Sequence, residues 1–295
     1  MNYAVGLDIG GTKVACGLVD ETGKVLETVK VKSNITTAET MFASVCEAVD
    51  ALLEKIPEKE NLVIGAGIPG LVNHDEGIAI FQNNLPWDNF PFVKRMKERY
   101  PQFKNLEIDN DVYQATFAEW KASGLKETDT LTFLTASTGV SCATISQGEF
   151  LRGQGFAGEV GFLPLTLANG KKVTLEEIVG GNHLAKRGQE RLNDSKITTK
   201  DIFAGFYAGN KIETELIEEW LQIFSKGLYT LLSVLDPHKI VLGGSILKLN
   251  PQLLPFIKEE VKTLMLPVQY SRLENIVITE YDNNAGLIGA ALSAL

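Results

Sequence analysis

The chain has 295 residues, 44% of them hydrophobic and 22% charged. That length suits one large domain or two sharing a cleft, and the composition is that of a soluble globular enzyme able to bury a large core without staples. The net charge of −9 is spread along the chain and leaves no basic patch for a nucleic-acid partner, although a local site can still hold a phosphorylated nucleotide.

Cys16, Cys46 and Cys142 are odd in number and far apart. Such spacing argues against a disulfide framework and for a reducing compartment. The opening MNYAVGLDIGGTK has neither the charged start nor the long apolar stretch of a signal peptide. No run of about 18 apolar residues offers a membrane span. The expected location is the cytoplasm.

Hydrophobic patterning predicts strands at 3–9, 14–19 and 25–31, with Gly-Gly-Thr-Lys at the first bend. A helix follows over 38–55, with Met41, Val45, Val49 and Leu52 on one stripe. Next come a strand at 61–68 ending at Pro69-Gly70, a helix at 92–100, a short strand at 105–108 and a helix at 111–123. The second half opens like the first. A strand at 130–136, a bend at 137–139, a strand at 140–146 and a turn at 147–149 make a weak internal repeat of architecture. Helices are expected at about 174–193 and 211–235, then a strand at 239–242 running into Gly243-Gly244-Ser245. A helix at 251–265, a strand at 275–279 and a small-residue helix at 284–295 complete the chain. The expectation is an α/β protein with an N-terminal domain over 1–120 and a larger C-terminal domain over 121–282. The final helix, from about 283 to 295, is expected to return to the first domain, and the active-site cleft to lie between the two.

Asp8-Ile9-Gly10-Gly11-Thr12-Lys13 is the first chemical motif. Two glycines after a strand let the backbone approach an anion closely, and consecutive N–H groups in such a bend cradle phosphate oxygens. Thr12 adds a hydroxyl, Lys13 adds charge, and Asp8 can hold a hydrated Mg²⁺. A plain Gly-Gly hairpin is the alternative. Ser137-Thr138-Gly139 recurs at the equivalent place in the second half, and two such bends facing each other would grip a triphosphate. Gly243-Gly244 offers a third close approach, suited to adenine or ribose, or is simply a tight strand-to-helix turn. Asp109-Asn110-Asp111 stands at a helix start. Phosphoryl transfer to an alcohol needs a carboxylate that accepts the hydroxyl proton. An Asp at a helix start is also a good N-cap, and one residue can cap while another faces the substrate.

DIGGTK, GIPGLV at 67–72, DND with Glu119, STG, GEVGF at 158–162, LEE at 175–177 and LGGS at 242–245 resemble, in that order, the ROK family (repressor, open reading frame, kinase) over nearly the whole chain. The resemblance implies a two-domain actin-like, hexokinase-like fold of the ribonuclease H-like class. It implies ATP-dependent phosphorylation of a hexose or hexose derivative, at the 6-hydroxyl, with ATP and Mg²⁺ in a homodimer. Asp111 matches the family's catalytic base. Asn84 (beside Asn83), Asn110, Glu159 and Glu176 match its sugar contacts. Residues 8–13 and 137–139 match its phosphate bends.

Two departures stand out. The family's His after the GEVG-like motif is Phe162 here, and segment 163–174 lacks the cysteines of the family's structural zinc. No zinc site is therefore expected. The second bend runs on as Ser141, Cys142 and Ala143 where the family has glycines, which predicts crowding of the phosphate. Trp87 and Phe90 fit either sugar stacking or core. A sugar-sensing regulator or a non-catalytic sugar-binding protein of the same fold is the alternative function. The regulator is disfavoured because the first bend begins at residue 8, with no room before it for a DNA-binding helix pair.

Overall fold

The computed structural model describes residues 2–56, 62–167, 169–281 and 284–295. Asn61, the first residue of one expected strand, and residue 283, the expected start of the last helix, lie outside them. The chain groups into two units, Met1–Leu125 with Tyr281–Leu295, and Lys126–Glu280. No helix among the described residues is long and apolar enough to cross a membrane.

In the first unit, β1 (Tyr3–Ile9), β2 (Lys13–Asp20) and β3 (Val25–Lys32) form an antiparallel meander. Four of the seven β1 residues (Ala4, Val5, Leu7 and Ile9) are buried apolar side chains, the mark of a strand covered on both faces. One face packs on α1 (Ala38–Lys55). Thr37 caps that helix by accepting from the Thr40 N–H at 3.1 Å, and its expected stripe of Met41, Val45, Val49 and Leu52 is fully buried. Next come β4 (Val63–Ile68), a small antiparallel sheet of β5 (Leu71–Asn73), β6 (Ile78–Phe81) and β7 (Asp88–Phe90), and α2 (Phe92–Arg99). β8 (Leu106–Asn110) then runs directly into α3 (Asp111–Ala122). The main sheet has the order β3-β2-β1-β4-β8.

The second unit contains β9 (Thr130–Ala136), β10 (Val140–Ser146), β11 (Glu149–Phe150), β12 (Pro164–Thr166) and β13 (Lys172–Thr174). Helices α4 (Leu175–Val179), α5 (Gly181–Leu192), α6 (Thr199–Tyr207) and α7 (Lys211–Leu235) follow. β14 (Lys239–Gly243), α8 (Ser245–Leu249), α9 (Leu254–Leu264) and β15 (Ile276–Ile278) complete it. Its main sheet, β11-β10-β9-β14-β15, repeats the order of the first. The core is built on α7, whose Trp220 stacks on Phe224 at 4.8 Å and donates to the Val179 carbonyl at 2.8 Å. The single helix expected over 174–193 is two helices, divided at Gly180. That residue has extended backbone (φ −62, ψ 137) and cannot continue a helix. Thr198 and Asp201 form the capping box of α6, which the expectation omits.

The last helix, α10 (Ala285–Ala294), belongs to the first unit. It lies so close on β4 and α3 that a Cβ on Gly65 would stand 1.8 Å from the Ala290 carbonyl oxygen, and one on Gly289 would stand 1.7 Å from that of Gln114. Its small-residue composition is what permits that approach.

Candidate active site

In the first unit β1 delivers Asp8 to the bend at 10–13. Asp8 is half-buried; that burial pushes its carboxyl up, while the charges of Lys13 and Lys30 pull it back. Inside the bend Gly10 N–H donates to the Lys13 carbonyl at 3.0 Å. Ser33 then donates its hydroxyl to the Gly10 carbonyl at 2.6 Å and its N–H to that of Thr12 at 3.1 Å. Three carbonyls of the bend are thus bonded to the protein. Neither glycine is left-handed, so a primed hairpin turn does not explain them. A Cβ on Gly11 would lie 2.9 Å from the Asn84 carbonyl oxygen. The second glycine lets the loop bearing Asn84 close on the bend.

At the start of α3 the cap and the candidate base separate. Asn110 is the N-cap, accepting from Val112 N–H at 2.8 Å and Tyr113 N–H at 3.4 Å, and its Nδ2 donates to the Gly70 carbonyl at 2.9 Å. After those bonds its amide keeps one N–H of its two for a substrate. Asp111 is the first helical residue, and its Oδ1 accepts from Val112 N–H at 3.0 Å. A negative charge there complements the helix dipole. Gly67 packs tightly against it, and Gly286 lies in ordinary contact range. A Cβ on Gly67 would lie 3.3 Å from Asp111 Cα. A Cβ on Gly286 would lie 3.4 Å from Asp8 Oδ1 and 3.9 Å from the Asp111 carbonyl oxygen. Asp8, Asp111, Asn84, Asn110 and the 10–13 bend are therefore gathered in one unit. The sequence hides Gly286, since nothing distinguishes it from the other small residues of α10.

The Asp8 carboxyl fits Mg²⁺. It is a half-buried carboxyl two residues before the bend. Among the described residues no three His, Cys, Asp or Glu side chains group as metal ligands. One carboxylate with water and substrate phosphates is the usual way a protein holds this ion.

In the second unit Ser137, Thr138 and Gly139 join β9 to β10. Ser137 N–H donates to the Gly139 carbonyl at 2.9 Å, and Gly181 N–H at the start of α5 donates to the Ser137 carbonyl at 2.7 Å. The Gly180-Gly181 pair, absent from the sequence-derived site, is what lets α5 reach this bend. Gly244 is left-handed (φ +86), and a Cβ there would stand 2.3 Å from the Ala136 carbonyl oxygen, one residue before the bend. Gly243 has a packing reason, because a Cβ on it would stand 2.3 Å from Phe133 Cζ. Cys142 and Ala143 are buried, with Cys142 in the core of this unit. Burial pushes the Cys142 thiol up to about 12, with the charge of Glu159 adding to it. Of the three residues that stand where the family has glycines, Ser141 is the one not buried.

Glu159 and Glu176 approach from the same unit. Glu159 precedes a single helical turn at Val160–Phe162. Partial burial pushes its carboxyl above the usual range, and the Glu176 charge pushes it further. Glu176 Oε2 accepts from Val140 N–H at 2.9 Å, directly after the second bend. Phe162 is 61% exposed. Trp87 and Phe90, of the first unit, stack at 4.9 Å inside its core, which settles them as packing.

The raised Glu159 carboxyl has a consequence for stability. The folded state holds that proton more tightly than the unfolded chain does. Its contribution is therefore fully present below the unfolded value and is lost as the pH rises through the folded one. Glu159→Gln is expected to melt at or above wild type at neutral pH, with the gap closing as the pH falls into the carboxylate range. Thermal unfolding across that range checks it, and a variant that melts below wild type at neutral pH contradicts it.

A model of the ROK family matches residues 4–295. The glucokinase of Streptomyces coelicolor is 26% identical over 313 aligned residues, spanning 99% of this chain and 97% of that protein. An N-acetyl-D-glucosamine kinase of Mannheimia succiniciproducens is 29% identical over 308 residues, 97% of each. The crystal structure of a ROK family glucokinase from Streptomyces griseus in complex with glucose and AMPPNP aligns with a TM-score of 0.82 at 25% identity, over 99% of both chains.

Proposed function

The chain belongs to the ROK family, and from that premise we propose that this ATP-dependent sugar kinase phosphorylates a hexose or hexose derivative at its 6-hydroxyl, with Asp111 as general base. The fold is the actin-like, hexokinase-like α/β fold of the family. The observation that carries the proposal is Asp111 at the first turn of α3, with Gly286 set between it and Asp8.

In this mechanism Asn84, Asn110, Glu159 and Glu176 bind the sugar hydroxyls. Carboxylates and amides suit a hydroxyl-rich substrate, because a missing hydroxyl leaves them unpaired. Asp111 accepts the proton as the hydroxyl oxygen bonds to the γ-phosphorus and the bond from that phosphorus to the bridging oxygen of ADP breaks. The bends at 10–13 and 137–139 hold the phosphates, and Gly243 and Gly244 border the nucleoside. Asp8 would hold Mg²⁺ through water, which supplies charge neutralisation at the phosphates. Lys13 and Thr12 add a charge and a hydroxyl to the first bend. Under this proposal the protein works in the cytoplasm as a homodimer.

The test is ADP release by the purified protein with Mg-ATP across neutral and N-acetylated hexoses, with Asp111→Asn as control. Release with one sugar, lost in the variant, is the expected result. Silence across the panel, with sugar binding still detectable by thermal shift, would point to a sensor.

A further inference from the structure

We propose that Glu176 is a positioning residue for the nucleotide: its carboxylate braces the second phosphate bend and so sets nucleotide affinity, in addition to any contact with sugar. The inference rests on the assignment of residues 137–139 to the phosphates.

Glu176 is the second residue of α4, yet it does not serve that helix. The N-terminus is already closed by Thr174 and Glu177. Thr174 Oγ1 accepts from Glu177 N–H at 3.3 Å, and Glu177 Oε2 accepts from Thr174 N–H at 2.6 Å. Glu176 instead turns to β10 and takes the Val140 N–H at 2.9 Å. Its carboxylate is wedged against backbone on two sides. A Cβ on Gly139 would stand 2.4 Å from Oε2, and one on Gly161 would stand 3.2 Å from the same atom. The bend is thus fastened at three points: the Ser137–Gly139 bond within it, the Gly181 N–H at its start and the Glu176 carboxylate at its end.

This arrangement is odd on charge alone. A carboxylate repels a phosphate, and placing one beside a phosphate bend costs affinity unless it does something else. What it does here is hold the one peptide N–H that follows the glycine. Removing the acceptor leaves that N–H without its partner, a larger loss than that of a bond between neutral groups. Removing only the charge keeps the acceptor and relieves the repulsion. The two variants should therefore diverge.

A non-hydrolysable ATP analogue with Mg²⁺ is titrated by calorimetry into wild type, Glu176→Ala and Glu176→Gln, and the KM for sugar is measured in parallel. Glu176→Ala is expected to weaken nucleotide binding about tenfold, while Glu176→Gln, whose amide oxygen still accepts, stays within about twofold of wild type or binds tighter. A residue acting on sugar alone gives another pattern, with sugar KM raised in both variants and nucleotide affinity unchanged in both. That pattern overturns the proposal. Should Glu176→Ala fail to fold, Glu176→Asp carries the test. It keeps the charge but shortens the arm, so nucleotide binding should weaken, and unchanged affinity overturns the brace. A wild-type protein that binds no nucleotide sinks the assignment of the bend itself, an outcome distinct from either.

Discussion

Asp111→Asn is expected to lower kcat about 100-fold or more while sugar and nucleotide affinities stay near wild type. Asparagine keeps the volume, and its side-chain oxygen can still accept from the Val112 N–H that Asp111 Oδ1 now takes at 3.0 Å. The helix cap is untouched, because Asn110 provides it. What is lost is the capacity to receive the hydroxyl proton, and general-base catalysis is worth about 10²–10⁴ in rate. Steady-state kinetics on the sugar identified by ADP release measure the effect, and binding titrations show that affinity survives. Asn110→Ala is the informative contrast, since it removes the cap and should cost about 1 kcal/mol of stability. Turnover near wild type in Asp111→Asn would remove Asp111 from the mechanism.

Much of this fold is legible in the sequence. Buried strands such as β1 and β9 and striped helices such as α1 declare themselves, because their periodicity follows directly from which faces are covered. The repeat of the two halves was legible too, from strand, bend, strand and turn in each. The errors have physical causes. Residues 174–193 keep apolar residues through both helices, so periodicity alone cannot show that Gly180 must stay extended for Gly181 to reach the Ser137 carbonyl. Strands β5 to β7 are too short to show alternation. Trp87 fits sugar stacking or core by sequence, and its 2% exposure decides for core.

The candidate site divides in the same way. Residue types that suggest their chemistry, such as Asp8 and Asp111, are readable as candidates, and Glu159 only through the family resemblance. The partners of the glycines around them are not, because a close approach depends on a residue far along the chain. Gly11 answers to Asn84 and Gly67 to Asp111. Asn110 is intermediate: the resemblance implies a sugar contact, and the hydrogen bonds assign most of its amide to the helix cap and to Gly70.

Gly158→Ala should be the most damaging conservative substitution in the second unit. Gly158 has φ +94, which an L side chain rarely adopts, and a Cβ there would stand 1.8 Å from the Cys142 carbonyl oxygen. The two faults cannot be relieved separately. The Gly158 carbonyl accepts from Cys142 N–H at 2.8 Å, so moving away from the clash breaks the bond that ties this segment to β10. Backbone strain of about 1–3 kcal/mol adds to an overpacking cost of about 1–3 kcal/mol. At about 2–4 °C per kcal/mol for a unit of this size, a fall in melting temperature of about 10 °C is expected. Because Glu159 is the next residue, any folded fraction should also bind sugar more weakly while its nucleotide affinity, which the proposal assigns to the two bends, changes less. Thermal unfolding with and without sugar measures both effects. A variant that melts within a degree or two of wild type would mean that the segment shifts freely, and Glu159 would then lack the fixed support its proposed role requires.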